Sequence, residues 1–175
     1  PASATLAEYT SAGSRRCAII DGMQEGQKMA ASHELRALDG AATAADYDAI
    51  VIGAGISGLY QLLLLRQLGM RVRVLEAGTG VGGTWYWNRY PGARCDVESL
   101  EYSYSFDEQL QQDWKWPERY GTQPEILKYI NHVADRFDLR RDVQLNTRIK
   151  SAVFDTRANE WAVTTNTGEE IRARY

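Results

Sequence analysis

Three glycines stand between a strand-like apolar run and a helical run, at the spacing of a phosphate-binding turn. Gly53 permits a tight bend, Gly55 lets the backbone approach a pyrophosphate, and Gly58 lets the helix pack closely on the strand. The helix that follows, with Ser57 in its first turn, offers unpaired N–H groups and a partial positive charge to phosphates. The pattern predicts a site for the diphosphate of a dinucleotide.

An acidic residue follows this turn at the end of a second strand-like run. Glu76 lies 18 positions after Gly58, where a carboxylate can accept hydrogen bonds from ribose hydroxyls and disfavours a 2′-phosphate. We therefore expect this site to bind FAD or NAD rather than NADP. A glycine-rich turn in an unrelated α/β protein is the alternative, but it would not require the acid.

A glycine doublet favours FAD over NAD. Glu76 is followed by Ala77, four further residues and Gly82-Gly83, which resembles the extended signature of flavoproteins with two dinucleotide-binding domains. Disulfide reductases would carry a cysteine pair shortly after the doublet, and here only Cys95 follows. Amine oxidases usually place arginine directly after the doublet, where this chain has Thr84. Both classes are disfavoured.

The elements that must position these residues form one βαβ unit. Residues 47–52 are a short apolar run typical of a fully buried parallel strand, residues 59–68 form a helix that ends at Gly69, and residues 71–75 form the second strand. A right-handed crossover would place the two strands side by side and parallel.

The second half of the chain predicts one more helix and several short strands. Thr122 and Glu125 are typical of a capping box, and apolar residues follow at helical spacing. Four strands are predicted, at 143–149, 152–155, 161–165 and 171–175. The predicted fold class is α/β: a Rossmann-like FAD-binding βαβ domain with a small antiparallel β-meander attached to the parallel sheet.

The amino-acid composition divides the chain into two parts. Residues 1–45, rich in Ala, Ser and Gly, are interpreted as an N-terminal arm, with a flexible tail as the alternative, and residues 46–175 as the first part of the FAD-binding domain. Since no second glycine-rich turn is present and the chain ends in mid-strand, we expect an N-terminal fragment that lacks the NADPH-binding domain and is inactive alone.

A long, aromatic-rich stretch carries a specific resemblance. Residues 82–99, followed by 101–106 and 123–127, resemble Baeyer–Villiger monooxygenases of the phenylacetone, steroid and polycyclic-ketone group, and the likeness covers about 47–175. The resemblance implies that NADPH reduces FAD, that oxygen adds at flavin C4a, and that the peroxyflavin attacks a ketone to give an ester or lactone.

The same resemblance implies a catalytic role for Asp96. This residue would lie beside the flavin and orient an arginine from a later part of the enzyme, and that arginine would stabilise the peroxyflavin and the developing oxyanion. A helix cap or an ordinary loop residue is the alternative interpretation.

Other residues are implied to face the two cofactors. Arg94, Cys95 and Asp96 would line the nicotinamide side, and Ile149 would contact the adenine through its backbone. Trp85 and Tyr102 match family positions near the flavin, although aromatic core packing explains them equally well. The predicted cofactor-binding residues are Gly53, Gly55, Ser57, Gly58, Glu76, Gly83, Thr84, Trp85, Arg94, Cys95, Asp96, Tyr102 and Ile149.

Composition excludes several function classes. With 20 Lys and Arg against 23 Asp and Glu, the charge of −3 gives no case for nucleic acid, and two histidines and two distant cysteines form no recognisable metal site. The uncharged run 49–65 is short and broken by glycines, so we expect no membrane association and a reducing, cytoplasmic location.

Three alternatives stay open beside the ketone-oxidising enzyme. A flavin monooxygenase that oxygenates nitrogen or sulfur would share both cofactors, a non-catalytic module would bind FAD without oxidising NADPH, and a plain NAD dehydrogenase is the least favoured. The expected partners are a small ketone, O2 and the rest of the same enzyme beyond residue 175.

Overall fold

A computed structural model describes residues 45–175. The predicted N-terminal arm lies outside the described residues except for Ala45. In the described part, no helix combines the length and the apolar character needed to cross a membrane.

A parallel sheet forms the first half of the fold and confirms the predicted βαβ unit. Strand β1 (Ala49–Ile52) leads into helix α1 (Ile56–Gln67), which returns to strand β2 (Val72–Leu75). The strands are parallel and lie in the order β1-β2-β3, where β3 (Val143–Gln144) comes from much later in the chain. The apolar, largely β-branched sequences of β1 and β2 suit parallel strands.

Strand β1 is fully buried on one face and only partly buried on the other, so the prediction of a fully buried strand is wrong at its end. Ala49 and Val51 lie in the core beneath α1, with 2% and 6% of their surface exposed. Ile52 points the other way and is 62% exposed. On that second face the antiparallel sheet packs against Ile50 and Leu75, and this contact does not extend to Ile52.

Three helices follow β2. Helix α2 (Thr84–Trp87) and helix α3 (Glu108–Asp113) are short, whereas helix α4 (Gln123–Arg136) is long and buries the apolar face that its spacing predicts. A 3₁₀ turn (Arg140–Asp142) then leads into β3.

The capping box predicted for α4 is wrong in its chemistry, although the helix begins where expected. Thr122 is the N-cap residue, but its side chain makes no capping hydrogen bond. Instead the backbone N–H of Gln123 donates to the Ala93 carbonyl at 2.9 Å. A neighbouring segment thus satisfies the first orphan donor of the helix.

An antiparallel sheet closes the described chain and confirms the predicted meander. Its strands are β4 (Ile149–Asp155), β5 (Glu160–Thr165) and β6 (Glu170–Ala173), in that order. It is attached to the parallel sheet because the Ile50 N–H donates to the Tyr175 carbonyl at 2.8 Å and the Tyr175 N–H to the Asp48 carbonyl at 3.1 Å.

The single strand predicted at 143–149 is wrong. Its first two residues form β3 in the parallel sheet, and Ile149 begins β4 in the other sheet. Between them Asn146 has a φ of 56°, and the Thr147 N–H donates to the Glu76 carbonyl at 2.8 Å. The apolar residues spaced along 143–149 predict one strand and do not reveal the change of sheet, because the residues at both ends of this stretch are extended.

Candidate functional site

The glycine-rich turn has the geometry that its spacing predicts. Gly53 has a φ of 93°, in the left-handed region that favours glycine, and its N–H donates to the Leu75 carbonyl at 2.9 Å. A Cβ added to Gly58 would lie 1.9 Å from the Gly53 carbonyl oxygen. The turn therefore closes on itself, and the start of α1 rests directly on the end of β1.

The N-terminus of α1 is open. Gly55 is its N-cap in extended conformation, no side chain caps it, and its first turn contains no acidic residue. The first N–H groups of a helix have no intrahelical acceptor and carry a partial positive charge. Exposed Ser57 lies in this first turn. The helix end can receive a diphosphate.

The glycine doublet lies directly on this turn. The Gly82 N–H donates to the Ala54 carbonyl at 2.9 Å. Gly83 has a φ of 54°, and a Cβ added to it would lie 2.8 Å from the Gly55 Cα. Two segments that are far apart in sequence thus meet backbone to backbone, and a side chain on Gly83 would force them apart.

The carboxylate of Glu76 is bound by the protein's own backbone. One oxygen accepts the Ala54 N–H and the other the Gly78 N–H, both at 2.7 Å, and the residue is 4% exposed. The side chain therefore holds the glycine-rich turn in place, a role that sequence reasoning missed. Each oxygen retains a second lone pair, which leaves capacity for a further donor such as a ribose hydroxyl.

The aromatic candidates form part of the core. Trp85 is 8% exposed, and its indole Nε1–H donates to the Tyr102 hydroxyl at 2.9 Å. The two rings meet edge to face, with centroids 5.8 Å apart. This arrangement supports the packing interpretation of both residues, while Thr84 beside them is exposed.

A further tyrosine anchors the start of α1, and sequence reasoning did not single it out. The Tyr104 hydroxyl donates to the Ile56 carbonyl at 2.6 Å, and the Tyr104 N–H donates to the Tyr129 hydroxyl at 2.8 Å. Burial strongly raises the pKa of Tyr104, so its hydroxyl stays a neutral donor. The aromatic cluster around α4 is thereby tied to the first turn of α1.

The segment from Arg94 to Asp96 lies beside the N-terminus of α4. The Arg94 guanidinium donates to the Glu118 carboxylate at 2.5 Å and to the Tyr120 carbonyl at 2.6 Å. Cys95 is buried, whereas the Asp96 side chain is exposed. The exposed carboxylate is available to a group outside the described residues.

Ile149 approaches the site from the other sheet. The chain before it crosses the end of β2, where the Asn146 N–H donates to the Gly78 carbonyl at 2.9 Å and the Thr147 N–H to that of Glu76 at 2.8 Å. The start of β4 therefore lies near the Glu76 edge. The predicted adenine contact stays a prediction.

Gln123 stands in the stretch 123–127 that carries the resemblance, but sequence reasoning gave it no role. Gln123, 8% exposed, extends its side-chain amide to the Trp85 carbonyl at 2.5 Å. Neither the resemblance nor a glutamine beside Pro124 in the first turn of a helix identifies a partner 38 residues away.

A dinucleotide-binding family matches the part of the chain that contains this turn. The model of NAD(P)-binding Rossmann-like domains matches residues 51–114, from β1 through the doublet and the Asp96 segment to the end of α3. The match confirms the Rossmann-like fold class.

Curated relatives are flavin monooxygenases. An acetone monooxygenase (methyl acetate-forming) of Gordonia is 53% identical over 128 residues, and a phenazine N-monooxygenase of Lysobacter antibioticus is 54% identical over 130 residues. A Baeyer–Villiger monooxygenase of Pseudooceanicola batsensis is 49% identical over 132 residues. These alignments cover 73%, 74% and 75% of this chain, and 24% of each relative.

Among solved structures, an oxidized steroid monooxygenase bound to NADP is 60% identical to the chain, with a TM-score of 0.73. That alignment covers 74% of this chain and 25% of the other. Over about three quarters of its length the chain is similar to Baeyer–Villiger and related flavin monooxygenases. It spans about a quarter of the length of the curated monooxygenases that it matches.

Proposed function

We propose that residues 46–175 form the first part of the FAD-binding domain of a Baeyer–Villiger monooxygenase, which oxidises ketones to esters or lactones with NADPH and O2. One observation carries the proposal: the doublet rests on the glycine-rich turn through the contact of Gly83 with Gly55. This contact brings a second backbone segment to the diphosphate site, an arrangement that the resemblance to flavoproteins implies for FAD and that NAD dehydrogenases generally lack.

The residues present fit FAD. The open end of α1 would hold the diphosphate, and the remaining lone pairs of the Glu76 carboxylate would accept the ribose hydroxyls. The contact between Gly83 and Gly55 would let the cofactor pass close to the backbone. When bound, FAD supplies the electron transfer from NADPH to oxygen.

Asp96 is the proposed catalytic residue of this part of the enzyme. Its neighbours Arg94 and Cys95 are fastened by an antiparallel bridge to Thr122 and by the hydrogen bond from the Cys95 N–H to the Gly121 carbonyl, 2.9 Å long. The exposed carboxylate is thus presented on a restrained backbone. It would hold an arginine from another part of the protein in the orientation that stabilises developing negative charge.

N-oxygenation is a second candidate. The relative named phenazine N-monooxygenase is 54% identical to this chain, so the aromatic stretch that suggests ketone oxidation does not by itself exclude a nitrogen substrate. Both activities would use the same FAD site.

Substrate comparison on the full-length protein tests the proposal. The purified protein should release FAD on denaturation and should consume NADPH in step with ester formed from a cyclic ketone. Ester formation far above N-oxide formation from phenazine would support the ketone assignment, and the reverse would assign the second activity. A protein that contains no flavin, or that oxidises no NADPH with either substrate, would contradict the proposed enzyme.

A further inference from the structure

Helix α2, which follows the glycine doublet, is too short to satisfy its own carbonyls. It spans only Thr84–Trp87, so its last carbonyls lack the helical donors that a longer helix would provide. The Asn88 N–H makes the helical bond to the Thr84 carbonyl at 2.9 Å, and beyond it Arg89 Nε–H donates to the Tyr86 carbonyl at 2.7 Å. The Trp85 carbonyl between them receives its hydrogen bond from Gln123.

The donor to Trp85 comes from a different part of the chain. Gln123 stands at the first position of α4, and its Nε2 atom lies 2.5 Å from the Trp85 oxygen in a buried environment. The other two donors belong to residues within four positions of their acceptors. Gln123 is thus the long-range member of the set.

The backbone around Gln123 holds the Asp96 segment as well. The Gln123 N–H donates to the Ala93 carbonyl and the Cys95 N–H to the Gly121 carbonyl, both at 2.9 Å. One short stretch, residues 121–123, therefore binds helix α2 through a side chain and the segment that carries Asp96 through its backbone. The two segments that are predicted to face the flavin share a single support.

We infer that Gln123 is a positioning residue for the flavin: its amide sets the placement of α2, and with it the doublet, relative to the Asp96 segment. The inference rests on the proposed FAD site. The amide is the suitable group because it offers N–H donors to a buried carbonyl at neutral charge, whereas a carboxylate would place an acceptor against an acceptor.

The change Gln123→Glu in the full-length protein tests this role. It preserves shape but leaves no donor to the Trp85 carbonyl unless the new carboxyl group is protonated. At neutral pH, titration of the deflavinated protein should show FAD binding about tenfold weaker than in wild type, the order expected for a lost buried hydrogen bond. On acidification the difference in FAD affinity between Gln123→Glu and wild type at the same pH should shrink, because a protonated carboxyl group can donate a hydrogen bond to the Trp85 carbonyl.

A second variant keeps the test decisive if the buried charge prevents folding. Gln123→Met has a similar length and no donor at any pH, so FAD binding should be weaker by a similar factor at neutral and acid pH. Recovery on acidification in Gln123→Glu alone would identify the donated hydrogen bond, which a loss of helix packing would not reproduce.

Asn131→Asp is the matched control. Asn131 lies on the same helix, where its Nδ2 donates to the Leu127 carbonyl at 2.7 Å and its Oδ1 accepts from Arg140 at 2.6 Å, so its amide bonds to neither segment. The same amide-to-carboxylate change there should leave FAD affinity within about twofold of wild type, since it removes no hydrogen bond to α2 or to the segment that carries Asp96.

Two outcomes would overturn the inference, and they are distinguishable. A flavin-binding wild type with unchanged FAD affinity in both Gln123 variants, or with equal losses in Asn131→Asp and Gln123→Glu, would reject the positioning role alone. A wild-type protein that binds no FAD would reject the proposed function and this inference together.

Discussion

A methyl group at position 58 has no space, since it would lie 1.9 Å from the Gly53 carbonyl oxygen. The Gly53 carbonyl belongs to the backbone of the turn, so this clash can be removed only if α1 moves away from β1. Glycine is needed at Gly58 because of this contact, whereas at Gly53 and Gly83 it is favoured by positive φ angles of 93° and 54°.

Gly58→Ala should therefore impair both stability and cofactor binding. We expect the free energy of unfolding to fall by about 1–3 kcal/mol, as for other overpacked sites, and FAD binding to weaken because the helix end shifts. Urea unfolding and flavin titration of the full-length protein measure the two effects. As a control, Gly168→Ala adds a residue at φ 88° with no atom within 4 Å; it should cost some stability through strain but leave FAD affinity intact. Equal FAD affinity in Gly58→Ala and wild type would show that the helix end does not need its present position.

Glu76 has two roles at one carboxylate: it binds the backbone of the glycine-rich turn, and it is proposed to accept the ribose hydroxyls. Both oxygens already accept backbone N–H groups, from Ala54 and Gly78. An amide in its place has only one acceptor oxygen, so one of the two N–H groups would face another donor.

Glu76→Gln should lower the free energy of unfolding of the flavin-free protein by about 1–3 kcal/mol, the cost of a buried polar group left unpaired. It should also weaken FAD binding, which flavin titration would measure. Glu169→Gln makes the same change at an exposed residue whose carboxylate accepts from Gln144 at 3.2 Å, and its stability should stay close to wild type. A flavin-free Glu76→Gln protein as stable as wild type would contradict the structural role.

At the scale of elements, the β4–β5 hairpin contains an acid-sensitive turn. Asp155 Oδ1 accepts the N–H groups of Arg157 and Ala158 at 2.8 and 3.1 Å. The bond from Ala158, followed by that from Arg157, lowers the pKa of the Asp155 carboxyl below its usual value. Because the folded pKa is depressed, the stability that Asp155 contributes is present above its unfolded pKa and is lost as the pH falls through the folded pKa.

Asp155→Asn should remove that part of the acid dependence and keep the turn. Asparagine retains an acceptor oxygen but does not titrate, so the loss of unfolding free energy between neutral pH and pH about 3 should be smaller in the variant than in wild type. Urea unfolding at the two pH values measures it. Asp155→Ala removes the acceptor and should be less stable than wild type at neutral pH, with a smaller difference in acid. If Asp155→Asn lost as much unfolding free energy in acid as wild type does, the Asp155 carboxyl would not contribute to the acid dependence of stability.

At the scale of the whole molecule, several large apolar side chains are exposed close to the candidate site. Ile52 precedes the glycine-rich turn, Trp87 and Tyr90 follow the doublet, and Leu100 follows Asp96; their exposures are 62%, 55%, 63% and 80%. Since the chain spans about a quarter of the related monooxygenases, we expect cofactor and further protein segments to cover this surface.

Bound FAD should accordingly stabilise the full-length protein. A ligand that binds only the folded state at 100 times its Kd adds about 2.7 kcal/mol to the free energy of unfolding. Thermal unfolding of the deflavinated protein should shift upward with FAD, and a smaller shift is expected with the same concentration of NAD, which lacks the flavin half. Equal shifts with both dinucleotides, or a larger one with NAD, would contradict the choice of FAD for this site.

Much of the fold could be predicted from the sequence. The turn from Gly53 to Gly58, the βαβ unit, the apolar face of α4 and the meander all depend on spacings of a few residues, and local geometry repeats over such spacings. Two predictions failed for reasons that lie in the tertiary structure. Residues 143–149 divide between β3 and β4, which belong to different sheets, and Ile52 at the end of β1 lies beyond the part of its face that the antiparallel sheet covers.

The sequence by itself determined which residue types meet a diphosphate and a ribose, because glycine spacing and a terminal acid are local patterns. Only the tertiary structure decided which residues hold the site in place. Ala54 binds the Glu76 carboxylate across 22 positions, and Gln123 binds the Trp85 carbonyl across 38. A buried polar group takes its partner from whichever segment the packed fold brings within about 3 Å. That choice depends on how distant elements dock, and no local spacing encodes it.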